Sequence, residues 1–288
     1  MKIKPIIISI LFVIPLLLPL SALAENDPRD SIAAPDGTSI FLFYYRQYSG
    51  EELYAGGDKI NSNIDYSLNM AIFRYAHFVG LGDWTWSYDV VQPVGDLDFE
   101  GNSSSGLGDT TIATHINTPF FFQSDDLSYM MSAGFYLSAP TGDYHSDKVV
   151  NIGCNRWTYK LEYTPVILQT KAITLEFTGD VTFYTDNDDY GASSADLETD
   201  PLFSLQTHLT YNVTDAFWIG ASHYYYSGAE NEIDGISQND EADNQALRFT
   251  ASFNVASNVI LMLQYNTEIE RDNGVKQNWF GTRIAYVW

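Results

Sequence analysis

The stretch Ile173 to Tyr184 reads ITLEFTGDVTFY, and its pattern decides the fold. Its odd-numbered positions carry isoleucine, leucine, phenylalanine and valine with one glycine, whereas the even-numbered positions up to Thr182 carry threonine, glutamate and aspartate. Side chains that alternate with a period of two belong to a β-strand with one apolar and one polar face. β-Branched and aromatic residues also favour strands. The stretch therefore predicts a strand that separates an apolar environment from a polar one.

The same period recurs along the chain and predicts about twelve strands. They lie near residues 38–48, 64–78, 83–92, 109–119, 127–138, 156–164, 173–184, 202–212, 215–227, 245–255, 258–267 and 280–288. The segments 38–48 and 215–227 alternate less regularly than the others.

Long polar connections and short turns alternate between these strands. The long connections span about 49–63, 93–107, 139–154, 186–200 and 228–244, and the short turns lie near 80–82, 123–126, 165–171, 212–215 and 255–258. This alternation along an even number of strands is typical of bacterial transmembrane barrels. The predicted fold is all-β, an antiparallel transmembrane up-and-down β-barrel of about 12 strands over residues 38–288. A soluble sandwich or a lipocalin-like barrel is the alternative, although neither requires long loops at every second connection.

Both ends of the chain agree with export to an outer membrane. Residues 1–24 have a short basic region, an apolar run and a small-residue site, which predict a Sec signal peptide cleaved after Ala24. At the other end, Trp288 closes the strand RIAYVW and resembles the signal that the outer-membrane assembly machinery reads. The polar segment 25–37, ENDPRDSIAAPDG, either enters the barrel as a plug or stays in the periplasm. The predicted location is the outer membrane of a Gram-negative bacterium.

Composition excludes several other classes of protein. Fourteen basic and 37 acidic residues give a net charge of −23, which argues against binding to nucleic acid. The chain is rich in tyrosine and phenylalanine, whose rings favour strands and membrane interfaces. Beyond the signal peptide, no apolar run is long enough for a membrane-spanning helix. The single cysteine, Cys154, cannot form an intramolecular disulfide.

Two motifs suggest cofactor or metal sites and fail on inspection. The stretch GLGDTTIATH, from Gly106 to His115, lacks the third glycine of a dinucleotide-binding loop and continues with a period of two. Its glycines are expected to turn a loop into the wall, with Asp109 capping the turn. The acidic loop 186–200 does not have the ligand spacing of an EF-hand. We predict no cofactor and no metal site, although divalent cations bridging the acidic outer loops to lipopolysaccharide form a weaker hypothesis.

The polar faces of the strands predict which side chains line the lumen. The residues expected to face inward are Arg156, Lys160, Glu162, Glu176, Asp180, His208, Arg248 and Arg283. A hairpin symmetric about Leu168 would place Lys160 opposite Glu176 and Arg156 opposite Asp180. These charges form either a neutral polar network that fills a narrow barrel or the lining of a solute route.

Several segments resemble one family of outer-membrane proteins, that of the meta-pathway of phenol degradation. The resemblance rests on residues 73–95, on GLGDTTIAT at 106–114 and on 137–165, which contains PTGDY and NIGCN. It implies an outer-membrane barrel with a role in the uptake of aromatic or other hydrophobic compounds. It implies no particular substrate-binding residues.

The predicted function is therefore a passive transporter or channel for small hydrophobic or aromatic compounds. A closed barrel that acts as an adhesin or structural protein is the first alternative. An outer-membrane lipid hydrolase is the second, and it would require a Ser–His contact at the lipid-facing outer rim. His145 and Ser146 lie in a predicted outer loop, and neighbours in sequence on a strand point to opposite faces, which is poor geometry for a base and a nucleophile. We expect no enzymatic activity. The expected partners are outer-membrane lipid, lipopolysaccharide, the assembly machinery and a small hydrophobic solute.

Overall fold

Twelve long strands form the wall of the molecule. The structure is a computed structural model and describes residues 25–124 and 126–288, so the predicted signal peptide and its cleavage site after Ala24 lie outside the described residues. The wall strands are β1 (Ser39–Ala55), β2 (Tyr66–Leu81), β3 (Trp84–Phe99), β4 (Thr110–Asn117), β5 (Ser128–Ala139), β6 (Thr158–Gln169), β7 (Ile173–Tyr184), β8 (Leu202–Thr214), β9 (Phe217–Gly228), β10 (Ala242–Ala256), β11 (Val259–Glu270) and β12 (Gly274–Val287).

Every wall strand pairs antiparallel with its neighbours in sequence, and the sheet closes on itself. β12 pairs with β1 from Ile40 opposite Val287 to Tyr54 opposite Gly274. Closure leaves the wall with no unpaired edge, which a sheet in lipid requires. The prediction of a twelve-stranded antiparallel barrel is confirmed, and the segments 38–48 and 215–227 are full wall strands despite their weak alternation. No helix in the described part of the chain is long and apolar enough to cross a membrane.

The outer face of the barrel is apolar over most of its circumference. Leu161 and Tyr163 on β6 are about half exposed, whereas Lys160 and Glu162, which alternate with them, are buried. The same alternation leaves many large apolar side chains exposed, among them Phe41, Ile112, Phe177, Phe203, Leu209, Phe249, Tyr265, Phe280 and Ile284. Apolar patches of this extent are unfavourable in water and are the surface that a bilayer covers.

Two of the predicted long loops are extended hairpins. β1 runs to Ala55 and returns as the short strand Asp58–Asn61, and β3 runs to Phe99 and returns as Asn102–Leu107. Gly56 and Gly57 both have positive φ, as the two central residues of a type I′ turn require, and such turns favour two-residue hairpins. The predicted loops 49–63 and 93–107 are thus wrong in part, because the strands continue past the positions where their sequence becomes polar.

The connections β7–β8 and β9–β10 together build a second, small sheet beyond the wall. Its four short strands are Asn187–Tyr190, Ala195–Thr199, Asn231–Ile233 and Ile236–Ser237. The two connections meet where Leu197 pairs with Ile233 and Thr199 pairs with Asn231. The acidic loops predicted from the sequence are therefore ordered by pairing with each other.

The predicted register of the β6–β7 hairpin is wrong. Lys160 lies opposite Thr182, and Glu162 lies opposite Asp180. The cause is Pro165, which we expected to begin the turn but which lies within β6, so that the turn falls at residues 170–172. The ladder shifts at this point between the pairs Phe177–Val166 and Gly179–Tyr163, since proline offers no N–H and strands accept it at bulges.

The faces of this hairpin survive the register error. Tyr159 pairs with Phe183, and Leu161 pairs with Val181, whereas a hairpin symmetric about Leu168 would place them opposite Phe177 and Leu175. The displacement is an even number of residues, and because side chains alternate with a period of two, an even shift leaves each one on the same side of the wall. The inward and outward assignments of both strands are therefore unchanged.

Candidate functional site in the barrel interior

The eight charged or titratable residues that we expected to face inward all lie on the interior side of the wall. Glu176, His208 and Arg248 are almost completely buried, and Asp180 is half-buried. The other four are also buried, namely Arg156, Lys160, Glu162 and Arg283. Buried charges require partners, and their partners differ from those that the sequence suggested.

Lys160 on β6 and Arg156 just before it find partners close to themselves or in the outer loops. Lys160 Nζ lies 2.9 Å from a carboxylate oxygen of Glu162, two residues along the same strand. Arg156 donates to the Thr199 hydroxyl at 2.5 Å, and its guanidinium lies 4.3 Å from the ring centroid of Tyr184. The predicted pairs of Lys160 with Glu176 and of Arg156 with Asp180 do not form, because the register differs.

The segment 25–37 lies inside the barrel and supplies most of the remaining partners. Gly37 donates to the Phe78 carbonyl at the end of the barrel that carries the short turns. From there the chain runs inward, and the Asn26 side chain donates to Glu162 at 2.9 Å, while Tyr224 donates to the Asn26 carbonyl at 3.0 Å. The structure thus places the two ends of this segment at the rim and deep in the interior.

Asp27 is the centre of the largest ion cluster. Arg248 and Arg283 each approach one of its carboxylate oxygens to 3.1 Å, and Arg46 lies 3.7 Å away. The Gln264 amide donates to the same carboxylate at 2.8 Å. Burial alone would raise the pKa of Asp27, but the adjacent arginines hold that pKa well below its usual range. The carboxylate is therefore charged at any physiological pH.

Asp30, a second carboxylate of the segment, contacts arginines on two wall strands, β12 and β2. It lies 2.7 Å from Arg283 and 2.9 Å from Arg74. Arg74 also contacts Asp89 at 2.6 Å, and Asp89 in turn faces His115 Nδ1 at 3.2 Å. These contacts form one continuous chain of polar contacts from Arg283 on β12 to His115 on β4.

Arg29 reverses the polarity on the opposite wall. Its backbone N–H donates to Glu176 at 2.7 Å, and its guanidinium donates to Thr210 and Asn212. The guanidinium also stacks on Trp218, 4.4 Å from the ring centroid. Desolvation lowers the pKa of Arg29, although an arginine remains charged at any physiological pH. The segment thus presents acids to one wall and a cation to the other.

The outer half of the interior is apolar on one side. Buried side chains of β1, β2, β3 and β12 meet there, and the connection between β5 and β6 covers them with Val150 and Ile152, which are 4% and 1% exposed. The members from the wall include Tyr48, Leu53, Tyr66, Leu68, Leu97, Val275 and Trp279, and the cluster continues along the wall to Leu42, Tyr44, Met70, Ile72 and Ala285. This connection, residues 140–157, therefore folds into the barrel mouth; we call it the infolded loop.

The glycine motifs of the sequence hold the infolded loop in place. Asp109 accepts hydrogen bonds from the backbone N–H groups of Gly142 at 2.8 Å and Cys154 at 2.9 Å. Gly142 and Gly153 touch through their backbones, and a Cβ added to Gly153 would lie 2.7 Å from the Gly142 carbonyl carbon. Asp109 was expected to cap its own turn, but it instead fastens a loop more than thirty residues away.

A cavity of about 120 Å³ remains between the infolded loop and the segment 25–37. Asp27, Asp30 and Arg46 border it on one side, and Cys154 and Arg156 border it on the other. Its apolar and aromatic lining consists of Tyr44, Ile72, Val91, Pro93, Ala113, Tyr136 and Tyr184. The space can therefore offer a small solute apolar walls with charged groups at their edges.

Residues 49–284 match the family described as "Putative MetA-pathway of phenol degradation". The chain belongs to this family. An outer membrane channel from Pseudomonas putida F1 has a similar structure, with a TM-score of 0.87 and 29% sequence identity over 92% of this chain and 100% of that one. The translocator domain of the autotransporter NalP from Neisseria meningitidis shares the fold alone, with a TM-score of 0.50 and 9% identity over 89% and 90% of the two chains. No curated protein sequence matches significantly.

In this family member, the sequence did not reveal most of the ion network around Asp27 and Asp30. Arg46 lies in the weakly alternating segment 38–48, and Arg74 and Asp89, which contact each other across the β2–β3 hairpin, were not among the residues predicted to face inward. In the structure, the even-numbered positions of β1 face inward, and Phe41 and Tyr45 at odd-numbered positions are exposed. Assigning these two aromatic side chains to the outer face would have placed Arg46 in the interior. The acids of the segment 25–37 gave no signal, because a polar stretch without a strand pattern looks the same inside a barrel and outside it.

A serine–histidine contact at the outer rim would indicate a hydrolase, and a group of metal-ligating side chains would indicate a metal site. Serine–histidine hydrogen bonds join Ser39 to His77 near the short-turn end and Ser222 to His208 in the interior, both at 2.8 Å. Neither lies at the lipid-facing outer rim, where a hydrolase would need it. Within residues 25–124 and 126–288, no group of three or more histidine, cysteine, aspartate or glutamate side chains is placed to hold a metal ion.

Releasing the infolded loop should expose Cys154. Burial raises the pKa of its thiol to about 12, so the parent protein should react slowly with a maleimide at pH 8. Asp109→Ala removes the acceptor for two backbone N–H groups, and we expect the labelling rate of Cys154 to rise at least tenfold. The measurement is the rate of mass addition to the folded protein in detergent.

The matched control for this experiment is Asp147→Ala, because Asp147 is an exposed residue of the same loop. It should leave the labelling rate unchanged. Equal rates for the parent, Asp109→Ala and Asp147→Ala would show that Asp109 does not hold the loop.

Proposed function

We propose that the protein is an outer-membrane barrel through which small hydrophobic or aromatic compounds pass passively. The observation that supports this most directly is the interior cavity with aromatic and aliphatic walls. Membership of a phenol-degradation family and similarity to an outer membrane channel point the same way. The predicted signal peptide and C-terminal Trp288 support export and insertion by the outer-membrane assembly machinery.

The size of the cavity fits a single aromatic ring. A cavity of about 150 Å³ lined by apolar side chains can hold benzene, and the cavity here, at about 120 Å³, is slightly smaller. Tyr44, Tyr136 and Tyr184 provide rings on which an aromatic solute can stack. A solute with one polar substituent would also find hydrogen-bond partners at the cavity edge.

Movement through the barrel requires the two inner elements to yield. The infolded loop limits access from the outer end, and the segment 25–37 limits access from the short-turn end. Both are held by side-chain contacts and loop hydrogen bonds, whereas the wall is held by continuous strand ladders. We infer that solutes pass when these inner elements shift and the wall stays intact.

A closed barrel that serves as an adhesin or structural protein is the second candidate. The dense contacts of the segment 25–37 with the wall favour it, and so does the ordered sheet built by the acidic outer connections. Contacts of the acidic outer loops with lipopolysaccharide through divalent cations stay a hypothesis.

Removing the inner end of the segment 25–37 should enlarge the passage. In planar bilayers, we expect the parent protein to give small current steps or none, and a variant that lacks residues 25–31 to give discrete larger steps. Deletion removes three carboxylates and Arg29 from the interior, so folding must be checked by heat-dependent gel mobility. Asp36→Ala, an exposed change in the same segment, should behave like the parent. A folded deletion variant with the conductance of the parent would contradict this route.

Filling the cavity should slow the entry of aromatic solutes. Ala113 is buried and lines the cavity, whereas its neighbour Ile112 faces the membrane with 55% of its surface exposed. Ala113→Phe should reduce the initial uptake of labelled toluene at least fivefold in Gram-negative cells that depend on this protein. Ile112→Phe adds similar bulk on the lipid side and should leave uptake unchanged. Equal uptake by the two variants, at equal amounts of folded protein, would rule out a route through this cavity.

A further inference from the structure

Three arginines on neighbouring strands converge on one point in the interior. Arg248 lies on β10, Arg283 on β12 and Arg46 on β1, and Gln264 stands between them on β11. Arg248 is completely buried, and the other two arginines are 6% and 3% exposed. We call this group the arginine site. It belongs to the wall, and the carboxylate that it holds, Asp27, belongs to the segment 25–37.

The donors of the arginine site are arranged for a carboxylate. Two guanidinium groups reach opposite oxygens of Asp27 at 3.1 Å each, and the Gln264 amide reaches one of these oxygens at 2.8 Å. Donors that approach both oxygens of a planar group distinguish a carboxylate from a spherical anion. Arg283 Nε is also buried and has no hydrogen-bond partner among the described residues, so the site has a further donor to offer.

Aromatic rings surround the same guanidinium groups. The Trp279 ring centroid lies 4.6 Å from the Arg46 guanidinium and 4.7 Å from that of Arg248. Tyr224 stacks on Arg248 at 4.3 Å, and Tyr44 lies 5.8 Å from Arg283. Tyr44, Arg46 and Asp27 also border the interior cavity, so a ring in the cavity can reach the arginine site with its substituent.

The wall alone has an excess of positive charge at this place. It contributes Arg46, Arg74, Arg248 and Arg283 and a single carboxylate, Asp89, to the cluster, and the segment 25–37 contributes Glu25, Asp27 and Asp30. Buried guanidinium groups without counter-charges are strongly destabilising. The wall therefore requires anions at this place. The anions that it now holds belong to the segment 25–37, which is attached only through side-chain contacts and loop-backbone hydrogen bonds.

We propose that the arginine site binds solutes with an aromatic ring and a carboxylate, and that Asp27 occupies the carboxylate position when no solute is bound. The inference rests on the proposed function and names the class of solute. The carboxylate of the solute takes the place of the Asp27 carboxylate, and its ring lies in the cavity beside Tyr44. The segment 25–37 is thus a tethered competitor, and every bound solute weakens its attachment to the wall.

The test is the binding of benzoate to Asp27→Ala in detergent, followed by tryptophan fluorescence. Asp27→Ala removes the competing carboxylate, so benzoate should bind at least tenfold more tightly than it binds to the parent. Benzamide has the same shape without the charge, and its affinity should be the same for both proteins. Asp36→Ala, in the same segment, should bind benzoate as the parent does.

Two further variants keep the result decisive. Trp279→Phe in the Asp27→Ala background should abolish the fluorescence change, which places the ligand at the arginine site. If Asp27→Ala does not fold, Asp27→Asn retains the shape of the side chain and should show the same preference for benzoate over benzamide. Equal benzoate affinity in the parent and the folded Asp27 variant overturns the proposal, as does inorganic phosphate competing as well as benzoate.

The failure of this proposal can be distinguished from the failure of the proposed function. If toluene enters through the cavity but benzoate shows no gain in Asp27→Ala, the passage stands and the carboxylate site fails. If benzoate binds as expected but Ala113→Phe and Ile112→Phe give equal toluene uptake, the site stands and the neutral passage fails.

Discussion

Charge compensation in the interior is the constraint on which the rest of this structure depends. A twelve-stranded barrel is narrow, so an inward-facing arginine meets an opposite wall or another chain segment before it meets bulk water. Arg46, Arg248 and Arg283 lie on adjoining strands and would repel one another without a counter-ion. Asp27 satisfies all three at once, which explains why a segment without strand pattern is fixed inside the barrel. The wall and the segment 25–37 therefore specify each other.

The same constraint divides the interior into regions with different chemistry. On the short-turn side, the segment 25–37 and the wall charges form a hydrogen-bonded network from Arg283 to His115. On the outer side, an apolar cluster of β1, β2, β3 and β12 is covered by Ile152 of the infolded loop. The cavity lies where these regions meet, so its lining is aromatic with charged borders. A ring with one polar group matches such a boundary better than either a purely apolar or a fully hydrated solute does.

The sequence predicted the wall well because the wall obeys local rules. Alternation with a period of two gave the strands and their faces, and the alternation of long and short connections gave the barrel. The register predicted for β6–β7 was wrong because Pro165 forms part of a bulge inside a strand. A proline can either end a strand or bend it, and the sequence alone does not show which of the two occurs. Asp109 shows the same limit, since a glycine-flanked aspartate reads as a local cap but bonds to Gly142 and Cys154 across a loop. The partners of Asp27 and Arg46 depend on contacts between distant segments, and no periodicity records these.

The strong contacts in the interior are compatible with the passage of a solute. The free-energy cost of breaking a contact depends on the contact that replaces it. A buried arginine that loses its carboxylate and gains neither water nor another anion strongly destabilises the protein. An arginine that exchanges one carboxylate for another changes the stability little. The segment 25–37 could leave the arginine site only if a second anion arrived there. An anionic aromatic solute supplies both this anion and a ring for the cavity beside Tyr44. The ion network around Asp27 closes the barrel when no solute is bound. It would then favour opening only for solutes that carry a carboxylate, as the segment 25–37 does.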